Sequence, residues 1–317
     1  FVFLRLRVTP APDAPMYLAA AAGGVGRFLL LLCKGWVQLI SRIASLACAA
    51  AIGGAAMVGL TAGIASAQPA CPDVHWMGAA GSGERAGDVT ADGGMGRVVY
   101  KSFRDFAQMV QQDGRTITAE AVEYPAVPVP EDGGILDWAG FMGSVDTGAA
   151  ALGQQYAAFV AQCPTTKVVL AGYSQGAMVV HRNLHVLDAN PQLAAALLIA
   201  DGDRLPADPT INIGSATTVP GAGKGVAQDW PILAHAPAPL PVTMGARTIS
   251  VCQLGDAVCD YDPDAEDEMN PAAVAVHTSY ARSSAGLDAW TWPLYQLVGP
   301  APVQTPVANP MVVSAGS

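Results

Sequence analysis

The feature that most constrains this chain is an apolar, β-branched run that ends in Gly-x-Ser-x-Gly, at residues 168–176. A helix-forming segment, residues 177–187, follows directly. A strand that turns sharply into a helix at this motif holds the serine hydroxyl above the sheet edge, while the glycines let strand and helix cross closely. The pattern therefore predicts a nucleophile at Ser174. The alternative is an ordinary strand-to-helix turn with Ser174 as its N-cap.

Strand and helix patterns alternate along the rest of the chain. Period-two or continuously apolar segments predict further strands, and 3.6-residue periodicity predicts helices. The strands are expected at residues 73–78, 116–122, 195–199 and 247–252, and the helices at 95–112, 144–162, 277–284 and 287–298. This alternation predicts an α/β fold with a parallel sheet of about five strands and helices on both faces. Active groups in such sheets sit at the carboxyl ends of the strands.

Two segments carry no clear period. Residues 204–240 are rich in Pro, Gly, Ala and Thr, and a long stretch without regular structure often serves as a functional loop. Residues 260–270 are strongly acidic but lack the glycine and ligand spacing of a calcium loop, so a solvated acidic loop is expected. We expect no metal ion here.

The first 67 residues differ in composition from the remainder. Their only acidic residue is Asp13, and an uncharged run over residues 43–64 follows five basic residues and ends in Ala-Ser-Ala. This order predicts an export signal that is cleaved before Gln68, with an uncleaved membrane anchor as the alternative. The predicted domain covers residues 68–299, and residues 300–317, rich in Pro, form a predicted flexible tail.

Charge excludes one class of partner. The first 67 residues hold five of the 16 Lys and Arg and one of the 26 Asp and Glu. Residues 68–317 therefore hold 11 basic and 25 acidic residues, a net charge of −14. Such a surface repels phosphate backbones, so nucleic-acid binding is not expected.

Four cysteines remain after the predicted cleavage, which indicates two disulfides in an exported protein. Cys71 precedes the first predicted strand and Cys163 precedes the strand that leads to Ser174, so adjacent parallel strands would bring them together. Cys252 and Cys259 can close a short loop. We therefore predict the pairs Cys71–Cys163 and Cys252–Cys259.

A serine nucleophile needs a histidine base, which in this fold class follows an acidic residue that itself follows the serine. His277 satisfies that order, and His235 is the alternative base, although it precedes the last predicted strand. His181 and His185 lie on the helix after Ser174 and are interpreted as surface residues.

Asp256 is the predicted carboxylate, because the Cys252–Cys259 loop around it would hold it rigidly. The alternative role for Asp256 is a turn cap after Gly255, and the rival carboxylates are Asp260, Asp262 and Asp264 in the looser acidic stretch. For the oxyanion hole we expect one donor from the backbone N–H of Gln175 and another from Ser82, in the Gly-rich loop after the first strand. A merely flexible loop is the alternative for Ser82.

The chain combines the Gly-Tyr-Ser-Gln-Gly motif, an Asp256 framed by cysteines and followed by His277, an early Gly-Ser, and Tyr-Pro-Ala after the second strand. This combination resembles the cutinase family of serine esterases. The resemblance extends from about residue 71 to residue 297 and is closest to exported cutinase-like proteins of actinobacteria. It implies a small α/β-hydrolase with the triad Ser174, Asp256 and His277, with Ser82 and Gln175 as oxyanion donors, with both disulfides, and without a metal or organic cofactor.

The chain departs from the family in ways that bear on its substrate. Ala80 stands where the family often has Arg, and residues 204–246 and 260–270 lengthen the spacings within the triad. We therefore expect a secreted or envelope-associated, monomeric carboxylester hydrolase acting on acyl esters or lipids, with cutin itself not carried over. The alternatives are an acetyl esterase on polysaccharide, a phospholipase or thioesterase, and a catalytically weak envelope-associated binding protein.

Overall fold

The alternating pattern of the sequence builds a parallel sheet covered by helices. The computed structural model describes residues 70–130, 134–230, 238–264, 270–282 and 284–300. Within these residues the sheet has six strands in the order β2-β1-β3-β4-β6-β5, and every neighbouring pair is parallel. The strands are β1 (Val74–Ala79), β2 (Ile117–Ala121), β3 (Lys167–Tyr173), β4 (Leu193–Ile199), β5 (Ile211–Ile213) and β6 (Thr248–Val251).

The sheet has one short strand more than the expected number of about five. Strand β5 lies inside the segment that was predicted to lack regular structure, and it pairs with β6 at the sheet edge. The same segment holds short 3-10 turns at Ser215–Thr218 and Val226–Gln228. Three residues are too few to show a strand period in the sequence. The strand exists because β6 offers its edge for pairing.

Helices cover both faces of the sheet. They are α1 (Arg97–Gln112), α2 (Ile135–Gln162), α3 (Gln175–Leu187), α4 (Val242–Gly245), α5 (Pro271–His277) and α6 (Ser284–Val298). Side chains of a strand alternate between faces. Accordingly Trp76 of β1 packs with Phe106 of α1 and Trp290 of α6 in one core, whereas Met77 packs with Tyr156 of α2 in the other.

Two predicted helices have different bounds in the structure. Helix α2 begins at Ile135, well before the predicted start at residue 144. The helix predicted over residues 277–284 is wrong, because α5 precedes it and ends at His277. Asn270 caps α5 by accepting a hydrogen bond from the Ala273 N–H at 2.8 Å, and Pro271 follows at the first helical position, where proline is favoured.

Two disulfides tie the fold together, with the predicted pairing. Cys71–Cys163 joins the chain ahead of β1 to the end of α2, and Cys252–Cys259 closes the loop after β6. The predicted export segment, residues 1–67, and the predicted tail after residue 300 lie outside the described residues. In the part of the chain that the structure describes, no helix has the length and apolar character needed to cross a bilayer.

Candidate active site

Ser174 lies on the turn between β3 and α3 in a conformation that few residues adopt. Its φ of 53° and ψ of −120° place it in a strained region for a residue with a side chain. Two glycines make the turn possible. A Cβ atom on Gly172 would overlap the backbone of Gly176, and one on Gly176 would overlap the carbonyl oxygens of Ala79 and Ala80. The Ser174 N–H donates to the carbonyl of Ile199 at 2.9 Å, which fixes the turn against β4.

The structure brings together the three side chains predicted as a triad. His277 Nε2 lies 3.0 Å from Ser174 Oγ. On its other side, His277 Nδ1 lies 3.0 Å and 3.2 Å from the two carboxylate oxygens of Asp256. An Nδ1–H that donates to Asp256 leaves Nε2 as an acceptor for the serine hydroxyl. The alternative base, His235, lies outside the described residues.

Asp256 is fully buried in the loop closed by Cys252–Cys259. Its Oδ1 accepts hydrogen bonds from the Val258 N–H at 2.7 Å and the Cys259 N–H at 3.1 Å. Burial raises the pKa of Asp256, but the hydrogen bond and charge of His277, together with these two N–H donors, outweigh burial and hold it below its usual range. The carboxylate therefore stays ionised beside the imidazole.

Two tyrosines that the sequence did not single out contact the side chains of the predicted triad. The Tyr280 hydroxyl donates to Asp256 Oδ2 at 2.8 Å and accepts from the Gln253 N–H at 3.0 Å. The Tyr173 ring stacks on the His277 ring at 5.2 Å, and its hydroxyl donates to the His277 carbonyl at 2.7 Å. Burial and the nearby charge of Asp256 raise the pKa of both phenols, so both remain donors. Their only sequence signal was proximity, since each is close along the chain to Ser174 or His277.

Each of the two predicted oxyanion residues shares a pocket with Ser174. Gln175 is the first residue of α3, where backbone N–H groups have no acceptor within the helix. Its buried side chain contacts Ser144 and the Val127 carbonyl, which holds the start of α3 in place. Ser82 is half-buried and lines a pocket together with Ser174 and His277.

Glu84 anchors the loop that carries Ser82. Its carboxylate accepts hydrogen bonds from the Gly81 N–H at 2.8 Å and from the Arg97 N–H, at the start of α1, at 2.9 Å. Burial raises the pKa of Glu84, and this effect outweighs the two N–H donors, which lower it. Sequence reasoning missed Glu84. Its one signal is that it is the only acidic residue at 79–87, a loop otherwise rich in glycine.

Two pockets of opposite character meet at Ser174. The first is apolar and narrow, with a cavity of about 80 Å³. Besides Ser174 and Gln175, its lining includes Val129, Trp138, Phe141, Met178, Trp230 and Tyr261. The second is polar and wider, with a cavity of about 370 Å³. Its lining includes Ser82, Glu84, Arg97, Tyr173, His277, Thr278 and Arg282.

The interpretation of His181 as a surface residue is wrong. The side chain is 1% exposed, and its Nδ1 lies 2.6 Å from Asp201, which follows β4. Burial lowers the pKa of His181, but the charge of Asp201 and its hydrogen bond outweigh burial and raise it to about 9. His181 therefore carries a charge paired with Asp201 and joins α3 to the chain after β4. His185 is half-buried. Among the described residues, no group of three or more His, Cys, Asp or Glu side chains is arranged to hold a metal ion.

Comparison with known proteins places this architecture in a class and then in a family. A cutinase-like protein from Cryptococcus sp. has a similar fold, with a TM-score of 0.50 at 21% identity over 74% of this chain and 98% of that one. The fold is that of an α/β-hydrolase. Residues 70–297 match the family model described as Cutinase, so the chain belongs to the cutinase family.

Two curated relatives agree with this assignment. A cutinase of Hypocrea jecorina is 33% identical over 141 residues, which are 42% of this chain and 52% of that protein. Acetylxylan esterase 2 of Talaromyces purpureogenus is 36% identical over 106 residues, which are 33% of this chain and 39% of that protein. The chain thus spans about half or less of the length of these relatives. Its likeness to actinobacterial members remains a prediction.

Proposed function

We propose that the protein is a serine carboxylester hydrolase in which Ser174 is the nucleophile, His277 the base and Asp256 the residue that orients it. The observation that carries the proposal is the 3.0 Å approach of His277 Nε2 to Ser174 Oγ, with Nδ1 of the same ring on a fully buried carboxylate. A serine hydroxyl becomes nucleophilic only when a positioned base takes its proton. This arrangement supplies both the base and its orientation.

The reaction proceeds in two halves. His277 Nε2 takes the Ser174 proton while Oγ attacks the ester carbonyl carbon, and negative charge develops on the carbonyl oxygen. Collapse of the tetrahedral intermediate breaks the bond to the alcohol oxygen, which receives the proton from His277. Water then gives its proton to His277 and attacks the acyl-enzyme, and release of the carboxylic acid restores the Ser174 hydroxyl.

The developing oxyanion needs preorganised donors. We assign these to the backbone N–H of Gln175, at the start of α3, and to Ser82, which can offer both its N–H and its hydroxyl. The start of α3 adds the partial positive charge of a helix N-terminus. Glu84 acts as a positioning residue, because its hydrogen bonds from the Gly81 and Arg97 N–H groups fix the loop that carries Ser82.

The apolar pocket supports an acyl ester as the substrate. Its lining is almost entirely hydrocarbon and aromatic, and it opens at Ser174, where the acyl carbon must sit. A narrow cavity of about 80 Å³ favours short acyl chains. This observation keeps an acetyl esterase as the second candidate, since one relative is named an acetylxylan esterase.

We further propose that the protein acts outside the cytoplasm, as a secreted or envelope-associated monomer that needs no cofactor. Two disulfides support an oxidising compartment. Residues 1–67 are assigned as the export segment, residues 68–299 as the hydrolase domain and residues 300–317 as a tail. The intact mass of the exported protein tests the cleavage before Gln68.

Hydrolysis of p-nitrophenyl esters from acetyl to palmitoyl tests the activity. We expect turnover that falls with chain length and is abolished in Ser174→Ala, while Asp256→Asn lowers kcat by about 10⁴-fold because the imidazole loses its orienting carboxylate. The control is Ser279→Ala, which removes a hydroxyl outside the triad. A folded wild-type protein that hydrolyses none of these esters would instead favour a binding protein.

A further inference from the structure

The two pockets at Ser174 differ enough to assign the two halves of an ester. We propose that the polar pocket is an alcohol-side subsite for esters whose alcohol carries an anionic group, a phosphate or a carboxylate. This inference rests on the proposed esterase function and extends it to the class of substrate. It depends on which pocket faces the proton donor and on which charges line that pocket.

The proton donor identifies the alcohol side. The departing alcohol oxygen must receive its proton from His277, so the alcohol leaves on the side where His277 is accessible. His277 lines the polar pocket and is absent from the lining of the apolar one. The apolar pocket, with Trp138 and Trp230 in its wall, suits the acyl chain. The alcohol therefore occupies the polar pocket.

Two arginine residues line that pocket. Arg97 stands at the start of α1 and Arg282 follows α5, so the two approach from different elements. Arg282 Nη2 donates to Thr278 Oγ1 at 2.8 Å, which orders its side chain at the pocket wall. Guanidinium groups bind phosphate and carboxylate through paired, charge-assisted hydrogen bonds. The Ser82 and Thr278 hydroxyls supply further polar groups.

The Glu84 carboxylate in the pocket wall is already engaged by hydrogen bonds. Among the described residues of the lining, Glu84 is the only carboxylate, and its two oxygens accept from the backbone N–H groups of Gly81 and Arg97. Among the described residues, neither Arg97 nor Arg282 forms an ion pair. A third cation lies nearby, because the Lys101 ammonium donates at 2.6 Å to the carbonyl of Ala281, a residue of the pocket wall.

This concentration of positive charge is unusual for the chain. Residues 68–317 carry a net charge of −14, so the surface as a whole repels anions. Of the 11 basic residues in this range, Arg97 and Arg282 line one pocket beside Ser174, and Lys101 contacts the Ala281 carbonyl in its wall. A local cationic site on an acidic protein draws an anionic alcohol to one place rather than to the whole surface.

Matched esters test the subsite directly. All carry the butyryl group, and the alcohols are glycerol, glycerol 3-phosphate, lactate and methyl lactate. In at least one pair, we expect kcat/KM to be about tenfold higher for the anionic ester: glycerol 3-phosphate over glycerol, or lactate over methyl lactate. A tenfold ratio corresponds to ~1.4 kcal/mol. The preferred anion identifies the group. The preference should shrink as salt is added. Equal rates within both pairs, or faster neutral esters, would overturn the subsite.

Variants assign the preference to the two arginines. In the double variant Arg97→Gln, Arg282→Gln the ratio of anionic to neutral kcat/KM should fall towards one. Arg104→Gln removes the same charge from an exposed site on the same helix and should keep the ratio. A ratio that survives in the double variant, with folding verified by circular dichroism, would contradict the assignment.

A binding measurement separates this inference from the proposed function. Calorimetric titration of glycerol 3-phosphate and lactate into Ser174→Ala requires no turnover, and glycerol serves as the neutral control. We expect at least one of the two anions to bind, and its binding to be lost when Arg97→Gln and Arg282→Gln are added. Anion binding without ester hydrolysis by the wild type would refute the esterase function and keep the anion site. Ester hydrolysis without anion binding or anionic preference would keep the esterase function and refute the subsite.

Discussion

The hydroxyl of Tyr280 donates a hydrogen bond of 2.8 Å to Oδ2 of Asp256, inside the closed loop that presents this carboxylate to His277. Both groups are buried. Removing the hydroxyl in Tyr280→Phe leaves a buried carboxylate with one donor fewer. We expect kcat to fall about tenfold and the free energy of unfolding to fall by about 1.5–3 kcal/mol, as for other hydrogen bonds to charged groups. Ester kinetics and urea unfolding measure the two effects.

Tyr100→Phe is the matched control for Tyr280→Phe. Tyr100 is a half-buried tyrosine of α1 whose ring packs near Phe103. We expect its loss of one hydroxyl to change neither kcat nor stability by comparable amounts. Wild-type kcat and stability in Tyr280→Phe would show that the hydrogen bond to Asp256 is dispensable.

Glu84 should affect the reaction by holding the loop that carries Ser82, rather than through substrate binding. Glu84→Gln keeps the shape of the side chain but turns one acceptor into a donor that faces a backbone N–H. We expect kcat to fall about tenfold with KM little changed, because the lost contact matters most in the transition state. Glu123→Gln, at an exposed carboxylate paired with Arg85, is the control. A raised KM with unchanged kcat would contradict this positioning role.

The raised pKa of Glu84 also gives stability a definite dependence on pH. The folded state holds the Glu84 proton more tightly than the unfolded chain does, so stability falls as pH rises from the ordinary Glu pKa of 4.5 through the raised value. The lowered pKa of Asp256 acts in the opposite sense, and its contribution is lost as pH falls from the ordinary value of 3.8 through the lowered value. Urea unfolding of wild type and Glu84→Gln between pH 4 and 8 tests this dependence. As pH falls, the free energy of unfolding of the wild type should rise relative to that of the variant, whichever of the two is the more stable at neutral pH. A difference that does not vary with pH would contradict the raised pKa.

The two disulfides should separate stability from catalysis. Cys252→Ser, Cys259→Ser opens the short loop around Asp256, so we expect a loss of about 2–3 kcal/mol and a fall in kcat. Cys71→Ser, Cys163→Ser opens a much longer loop at the opposite end of the sheet, so we expect a loss of about 4–5 kcal/mol while the folded enzyme keeps its kcat. Thermal unfolding and kinetics below the transition measure both. Equal effects of the two changes on kcat would contradict the role of the loop in placing Asp256.

Trp230 should limit the length of the acyl chain. Its ring lies 5.3 Å from that of Trp138, and its Nε1 donates to the Tyr261 hydroxyl at 2.6 Å, which holds it in the wall of the apolar pocket. Trp230→Ala should lower kcat/KM for butyryl esters and raise it for octanoyl and longer esters. Trp292→Ala, at an exposed tryptophan of α6, is the control. An unchanged profile of chain length would show that Trp230 does not bound the acyl site.

The parts that could be predicted from the sequence are those encoded by neighbouring residues. The pattern around Ser174 predicted strand, turn and helix because a strand period and a helix period flank the Gly-x-Ser-x-Gly motif, and Gly172 is required where the turn brings its backbone against that of Gly176. The spacing of Cys252 and Cys259 identified the loop that carries Asp256, because the two cysteines are close enough along the chain to close it. The positions of β1 to β4 and of β6 followed from periodicity, and their order along the chain already implied a parallel sheet.

The parts that were missed depend on contacts between distant residues. Residues 204–230 showed no period, yet Arg204 is buried there and donates to the Gly223 carbonyl, to Asn212 and to Ser250. Nothing in the sequence indicates which distant acceptors satisfy that guanidinium. In the same way, the partner of His181 is Asp201, in the loop after β4. The roles of Glu84 and Tyr280 likewise become visible only when loop, helix and triad are assembled.

The central claim is that Ser174 is a nucleophile activated by His277, and a fluorophosphonate probe followed by peptide mapping tests it most directly. We expect one adduct in the wild type, on the peptide that contains Ser174, greatly slowed labelling in His277→Ala, and no adduct in Ser174→Ala. An adduct that persists in folded Ser174→Ala, or labelling of His277→Ala at the wild-type rate, would contradict it.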